Sequence, residues 1–128
     1  MGYESRVFAI ERFTDKHGNA YGIEIACFDV FYWPYSQMTI EQENADGPFW
    51  TDVFNRPIDY DIYVNGAARR CNAYGDALRC ADVHSVIEYL EKYDGDDYRP
   101  YAFLEWLRRI VNTEMFTVTD LQLVEYGY

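Results

Sequence analysis

The alternation of apolar and polar residues predicts two strands near the start of the chain. Residues 6–13 form the first predicted strand, a polar turn covers 14–19, and a second strand follows over about 21–32. Two strands joined by a short polar turn should pair as an antiparallel hairpin. The second strand is expected to present one apolar face, made of Ile23, Ile25 and Cys27.

Helical periodicity replaces the alternation in the second half of the chain. Asp82 is placed to cap a helix whose apolar stripe recurs every three or four residues and which should end at Asp94-Gly95. Pro100 suits the first turn of a second helix, which should run to about Asn112. Further strands are predicted over 60–64 and 116–126. The stripe of the first helix consists of Val83, Val86, Ile87 and Leu90.

These elements predict an α+β fold. In the order β-β-β-α-α-β, they favour a small antiparallel sheet of about four strands with two helices packed on one face. The length of the chain is typical of a single domain, over 1–128. Between about 34 and 57 the chain is polar, acidic and interrupted by Pro and Gly, which predicts an irregular insertion with a short helix near 39–44. Long irregular segments in compact domains are often functional.

The net charge of −11 is concentrated in two segments. From Asp29 to Asp61 there are seven acidic residues and one basic residue, and from Asp82 to Tyr98 there are six and one. The rest of the chain carries nine of each and is neutral. Concentrated negative charge repels nucleic acid and speeds encounters with basic surfaces. The alternative is that these residues are ordinary solvated loops and helix faces.

Carboxylates and aromatic rings together suit a groove rich in arginine and lysine, since the acids pair with cations and the rings stack on guanidinium groups. Such grooves normally neutralise nucleic-acid phosphates, so clustered carboxylates can mimic DNA there. We therefore predict that the partner-binding surface combines acids of both segments with two aromatic anchors. The predicted residues are Glu41, Glu43, Asp46, Trp50, Asp52, Asp94, Asp96, Asp97 and Tyr98.

The sequence favours no catalytic chemistry. Phosphate-binding glycine loops, a GxSxG elbow and an HExxH motif are missing, and His84 and Ser85 point in different directions on one helix. Three cysteines without CxxC spacing indicate reduced thiols rather than zinc ligands. We therefore expect a non-enzyme without metal or cofactor. No apolar run is long enough to span a membrane and no signal peptide is recognisable, so we expect a cytoplasmic protein.

Several short motifs carry a family resemblance. They are the opening Met1-Gly2-Tyr3-Glu4-Ser5-Arg6, the pair Ile62-Tyr63, the turn Tyr74-Gly75-Asp76, the helix 86–92, Asp97-Tyr98-Arg99 and the closing Glu125-Tyr126-Gly127-Tyr128. With these motifs the chain resembles a group of small uncharacterised phage and prophage proteins. The resemblance implies a phage or mobile-element origin and assigns no activity. The acidic, tryptophan-bearing region 34–57 departs from the group.

Charge and resemblance together lead to one main functional hypothesis. The chain is expected to be a phage-type inhibitor, a DNA mimic that blocks the basic groove of a host defence complex such as a CRISPR effector or restriction nuclease. We expect no direct contact with nucleic acid or membrane, and a monomer or homodimer. One alternative is a sponge for a small nucleotide signal, for which Arg69, Arg70, Arg108 and Arg109 are the clustered bases. Another is an immunity or antitoxin-like protein, which would use the same acidic surface on a different partner.

Overall fold

The computed structural model describes residues 2–34, 50–112 and 121–128. The predicted helix near 39–44, the first part of the predicted last strand, and the candidate residues Glu41, Glu43 and Asp46 lie outside the described residues. The described elements are β1 (Gly2–Thr14), β2 (Ala20–Pro34), α1 (Trp50–Val53), β3 (Arg56–Pro57), β4 (Asp61–Val64), β5 (Ala67–Arg69), β6 (Arg79–Ala81), α2 (Val83–Glu91), α3 (Tyr98–Asn112) and β7 (Leu121–Gly127).

The fold class is α+β, and the strands form one mixed, curled sheet in the order β3-β6-β7-β1-β2-β4-β5. The prediction of about four antiparallel strands is wrong in detail, because the described sheet has seven strands and β4 lies parallel to β2. The strands that the sequence pattern missed, β3, β5 and β6, have only two or three residues each. An alternation with a period of two residues is not detectable over so short a length.

The hairpin of β1 and β2 is confirmed, but its predicted apolar face is wrong. Ile23 and Ile25 are 40% and 38% exposed, whereas Ala26 and Phe28 pack against the main core. The Phe28 ring lies 4.8 Å from the ring centre of Phe103 in α3. Two irregularities in the pairing, after Ser5 and after Ala9 of β1, shift the register along the hairpin. The helices therefore cover the face of β2 that carries Phe28, and Ile23 and Ile25 lie on the opposite, outer face.

Both predicted helices are confirmed, and they bury their apolar stripes on the same face of the sheet. The Asp82 carboxylate accepts a hydrogen bond from the Ser85 amide at 3.3 Å, as a helix cap should. At the start of α3, the Asp97 carboxylate accepts one from the Arg99 amide at 3.0 Å. Within the described ranges, no helix is both long and apolar enough to cross a membrane.

The central strand β1 buries side chains on both of its faces. Val7 and Ala9 point into the core shared with the helices, while Phe8 and Ile10 point into a smaller core inside the curl of the sheet. Gly22 of β2 packs directly on Ile10, and a Cβ atom there would overlap the Ile10 side chain. The close approach of the strands in the smaller core therefore requires glycine at this position.

Candidate interaction surface

The described candidate residues belong to two elements. Trp50 and Asp52 lie in the short helix α1, while Asp94, Asp96, Asp97 and Tyr98 lie in the turn between α2 and α3 and at the start of α3. We refer to residues 92–97 as the α2–α3 turn. Asp52, Asp94, Asp96 and Tyr98 are exposed, and Asp97 is half-buried.

Trp50 is an interior residue and not an exposed anchor. Its side chain is 2% exposed, and its indole Nε1 donates a hydrogen bond of 2.7 Å to Ser5 Oγ. The ring centre lies 5.0 Å from that of Phe31 and 5.4 Å from that of Tyr89 in α2. A side chain so fully covered offers almost no area to a partner. Its contribution is to fix α1, and with it Asp52, against α2.

The Phe31 ring connects α1 with the α2–α3 turn. The Phe31 ring contacts Trp50 of α1 on one side and Tyr93 of the α2–α3 turn on another, with ring centres 5.0 and 5.4 Å apart. Since the three rings form one cluster, α1 and the α2–α3 turn are neighbours at the same end of the helical layer. Asp52 and the aspartates of the turn are therefore held on the same part of the molecule.

Hydrogen bonds brace the α2–α3 turn. The Tyr93 hydroxyl accepts a hydrogen bond from the Asp97 amide at 3.3 Å, and the Tyr101 hydroxyl donates one of 2.7 Å to the Gly95 carbonyl. Asp97 also forms an ion pair of 2.6 Å with Arg99. Hydrogen bonds from the Arg99 guanidinium and from the Arg99 amide, together with the guanidinium charge, lower the pKa of Asp97 below its ordinary value. The turn thus has a defined shape before any partner arrives.

The carboxylates that remain available at this surface are those of Asp94 and Asp96. Neither has an ion-pair partner within the described part of the chain. Other acids nearby are partly neutralised, because Glu91 lies 3.5 Å from Arg108 and Glu88 lies 4.0 Å from Lys92. Tyr98 follows the turn and is 76% exposed. The surface therefore offers two open carboxylates beside one open tyrosine ring.

A half-buried carboxyl group lies behind this surface. Glu125 Oε1 accepts hydrogen bonds from the Tyr3 hydroxyl at 2.5 Å and from Ser5 Oγ at 2.9 Å. Because Ser5 also accepts the Trp50 indole N–H, the four residues form one connected group, here called the Glu125 network. Burial raises the pKa of Glu125, while the two hydrogen bonds oppose that rise. Burial and the neighbouring carboxylate raise the pKa of Tyr3 strongly.

The Glu125 network was missed at the level of the sequence, although one signal for it exists. Glu125 alternates with Leu121 and Leu123, which places its carboxylate on the same strand face as two core leucines. A carboxylate on an apolar face needs hydrogen-bond donors. The donors, Tyr3 and Ser5, are 122 and 120 positions away in the chain, so no local pattern indicates them.

Asp29, the first acid of the first acidic segment, is not available to a partner. Its carboxylate lies 2.9 Å from Arg6 Nε and accepts a hydrogen bond of 3.1 Å from the Tyr128 hydroxyl. The same hydroxyl accepts a hydrogen bond from Arg6 at 2.5 Å. Burial and the adjacent carboxylates raise the pKa of Tyr128 to about 12. This group joins the end of β7 to the β1–β2 hairpin.

At the closed end of the hairpin, a polar cleft of about 550 Å³ lies between the β1–β2 turn and β4. It is lined mainly by charged side chains and two tyrosines, and we call it the Arg12 cleft. Its lining includes Arg12, Asp15, Tyr21, Asp59, Asp61, Tyr63 and Arg70. Phe31 and the acidic surface belong to the open end of the same hairpin, so the cleft is a separate feature.

Metal binding has no evident site in the parts of the chain that the structure describes, since no three His, Cys, Asp or Glu residues converge there. Cys27 and Cys71 are exposed, Cys80 is buried, and all three are free thiols. Burial raises the pKa of Cys27 to about 11, which disfavours the reactive thiolate. Comparison of the chain with family models, with characterised proteins and with solved structures gives no match. The function is therefore inferred from the chain's own residues.

Proposed function

We propose that the protein is a phage-type inhibitor that binds a host nucleic-acid-binding defence complex, a CRISPR effector or a restriction nuclease, through its acidic surface. The observation that supports this proposal is the ring cluster at Phe31, which links α1, the helix that carries Asp52, to the α2–α3 turn, which carries Asp94 and Asp96. Asp94 and Asp96, with Asp52 nearby, would occupy phosphate positions in a basic groove. Tyr98 would stack on an arginine at its edge.

The bracing of the α2–α3 turn supports the same proposal. A partner-binding loop that is ordered beforehand loses less conformational entropy on binding. The hydrogen bonds of Tyr93 and Tyr101 and the Asp97–Arg99 ion pair hold this turn without using Asp94 or Asp96. Asp97 and Trp50 then act in the proposal as supports of the surface, and Asp94, Asp96 and Tyr98 as its contacts.

The nucleotide-sponge alternative receives less support from the arginines on which it depends. Arg108 is paired with Glu91 and Glu105, and Arg70 is paired with Asp61. Arg69 lies over the Tyr126 ring at 5.7 Å. These arginines contact different partners, at a sheet edge and on α3. Their arrangement therefore does not resemble a single phosphate-binding pocket.

The proposal is tested by capturing partners from a nuclease-treated host lysate on the immobilised protein. The same capture uses the variant Asp94→Asn/Asp96→Asn and the charge-matched control Glu11→Gln/Glu24→Gln, whose sites lie near the closed end of the hairpin. We expect a nucleic-acid-binding protein whose affinity falls at least about tenfold in the first variant and is unchanged in the control. Affinity should also fall steeply between about 50 and 200 mM salt, because exposed charges are screened.

A second measurement tests whether the protein blocks nucleic-acid binding by its partner. The captured partner is purified and its DNA or RNA binding is titrated with the protein, and competition is expected. Equal loss of affinity in both double variants, salt-insensitive capture, or simultaneous binding of protein and nucleic acid would each overturn the proposed mechanism. Tyr98→Ala should weaken capture without changing its salt dependence.

A further inference from the structure

The Arg12 cleft has the dimensions of a small-molecule site. Its volume of about 550 Å³ lies within the range of roughly 300–1,000 Å³ that is usual for ligand pockets. The β1–β2 turn forms one wall, and Gly18 in that turn has a φ of +84°, which favours glycine. The opposite wall is formed by β4 and the residues just before it.

Most of the charges in the cleft are already satisfied by the protein. Asp61 and Arg70 form an ion pair of 2.6 Å. Asp15 accepts hydrogen bonds from the amides of His17 and Asn19 at 2.8 and 2.9 Å, and these bonds lower its pKa. Asp15 is therefore committed to shaping the turn.

One cation and one anion remain. Arg12 and Asp59 both line the cleft, yet neither has an ion-pair partner among residues 2–34, 50–112 and 121–128. The Arg12 guanidinium lies 5.3 Å from the ring centre of Tyr60, a buried residue whose hydroxyl donates a hydrogen bond of 2.6 Å to Gln122. This buried ring gives the guanidinium a fixed support.

Two tyrosines form an aromatic corner beside these charges. The rings of Tyr21 and Tyr63 are 6.2 Å apart and nearly perpendicular, at 85°. Tyr63 is 43% exposed. An exposed aromatic corner attracts another ring or an ammonium group.

We propose that the Arg12 cleft binds a small zwitterion of the amino-acid class, with a preference for an aromatic side chain. The ligand carboxylate would pair with Arg12, whose planar guanidinium is suited to carboxylates, and the ammonium group with Asp59. The side chain would lie against Tyr63. A nucleotide fits this lining less well, because three aspartates face only two arginines. This site is independent of the acidic surface.

The test is calorimetric titration of the full chain with L-phenylalanine and its two blocked forms, phenylalanine amide and N-acetylphenylalanine. Each blocked form lacks one of the two charges. We expect the zwitterion to bind at least about tenfold more tightly than either blocked form, since each loses one ion pair. Equal affinity for the three compounds, or no binding of L-phenylalanine at concentrations up to about 10 mM, would overturn the proposal.

Two variants test which residue binds each charged group of the ligand. Arg12→Gln should abolish the preference for the free acid over the amide, and Asp59→Asn should abolish the preference for the free amine over the acetylated form. Lys16→Gln, a cation in the adjacent turn that does not line the cleft, should change neither. Asp94→Asn/Asp96→Asn should also leave binding unchanged, which separates this site from the partner surface. The three-ligand comparison on the unmodified protein decides the proposal even if a cleft variant folds poorly.

Discussion

The Glu125 network and the α2–α3 turn shift the pKa of a carboxyl group in opposite directions, although both regions contact the Phe31 ring cluster. Glu125 is half-buried and lacks a cation partner within the described residues, so desolvation raises its pKa although two hydroxyl groups donate hydrogen bonds to it. Asp97 has an arginine and two N–H donors, so its pKa is lowered. The difference shows that acidic residues have two structural roles in this protein. Glu125 links interior residues by hydrogen bonds although its charged form is disfavoured, whereas Asp97 stabilises the α2–α3 turn through its charge.

The two groups should therefore affect stability in opposite directions as pH changes. A raised pKa means that the folded state binds the Glu125 proton more tightly, so this contribution declines as pH rises above the ordinary value of 4.5. A lowered pKa means that Asp97 stabilises the fold above its ordinary value of 3.8, and that this contribution is lost as pH falls through the lower folded value.

The largest effect is expected from Trp50→Ala, which breaks the physical link between the two regions. Removing a buried indole leaves a cavity and takes away the donor to the Ser5 hydroxyl, which still donates to Glu125, at a cost of about 3–5 kcal/mol in the free energy of unfolding. Urea unfolding measures this loss. Trp50→Phe is the matched control, because it keeps a ring against Phe31 and loses the N–H, and it should cost clearly less. Equal losses in the two variants would show that the hydrogen bond, rather than ring packing, holds α1.

Tyr3→Phe tests the Glu125 side alone. The change removes a hydroxyl that donates to a half-buried carboxylate, and we expect a loss of about 1.5–3 kcal/mol at pH 7. The loss should shrink when Glu125 is replaced by Gln, which a double-mutant cycle from chemical unfolding measures. Additive effects of the two changes would mean that the Tyr3 hydroxyl stabilises the fold through another contact.

Asp97→Ala tests the turn. It removes the cap of α3 and the ion pair with Arg99, so we expect a loss of about 1 kcal/mol. Asp97→Asn keeps a capping side chain and removes the charge, and it should recover part of this loss. Stability measured across the acid range should decline less steeply below pH 3.8 in both variants than in the unmodified chain. If stability declined just as steeply below pH 3.8 in these variants, carboxylates other than Asp97 would cause the decline.

The smallest effect, of opposite sign, is expected from Glu125→Gln. The amide oxygen still accepts from Tyr3 and Ser5, while the cost of a buried charge at neutral pH disappears. The variant should be slightly more stable at pH 7 than the unmodified chain, because the fold disfavours the charged form of Glu125. Melting temperatures between pH 4.5 and 7.5 should fall less with rising pH than in the unmodified chain. A variant less stable than the parent at every pH would show that the carboxylate charge is stabilising.

The elements that the sequence predicted well are those whose signals are local. Asp82 and the stripe from Val83 to Leu90 define α2 within nine residues, and Pro100 marks the first turn of α3 in the same way. The Ile23 face of β2 was predicted wrongly, since an alternation fixes two faces but not which of them the helices cover. That choice depends on the fit of Phe28 under Phe103, a contact between distant residues.

The candidate surface was predictable in part for the same reason. The exposure of Asp94, Asp96 and Tyr98 follows from their position in a turn between two helices. The interior position of Trp50 depends on Ser5 and Phe31, which meet only in the folded sheet. The Arg12 cleft combines three separate segments, and the remaining charges that define it emerge only after the ion pair of Asp61 and Arg70 is known.

The position of β7 has a consequence for how the chain folds as it is made. Among the described strands, β7 lies between β6 and β1, and it alone joins β3 and β6 to the rest of the sheet. Until residues 121–127 leave the ribosome, β1 and β6 both present unpaired edges, which are prone to pair with other chains. The sheet is therefore complete only once residues 121–127 have joined it, and pairing of these two open edges with other chains should be most frequent before that step.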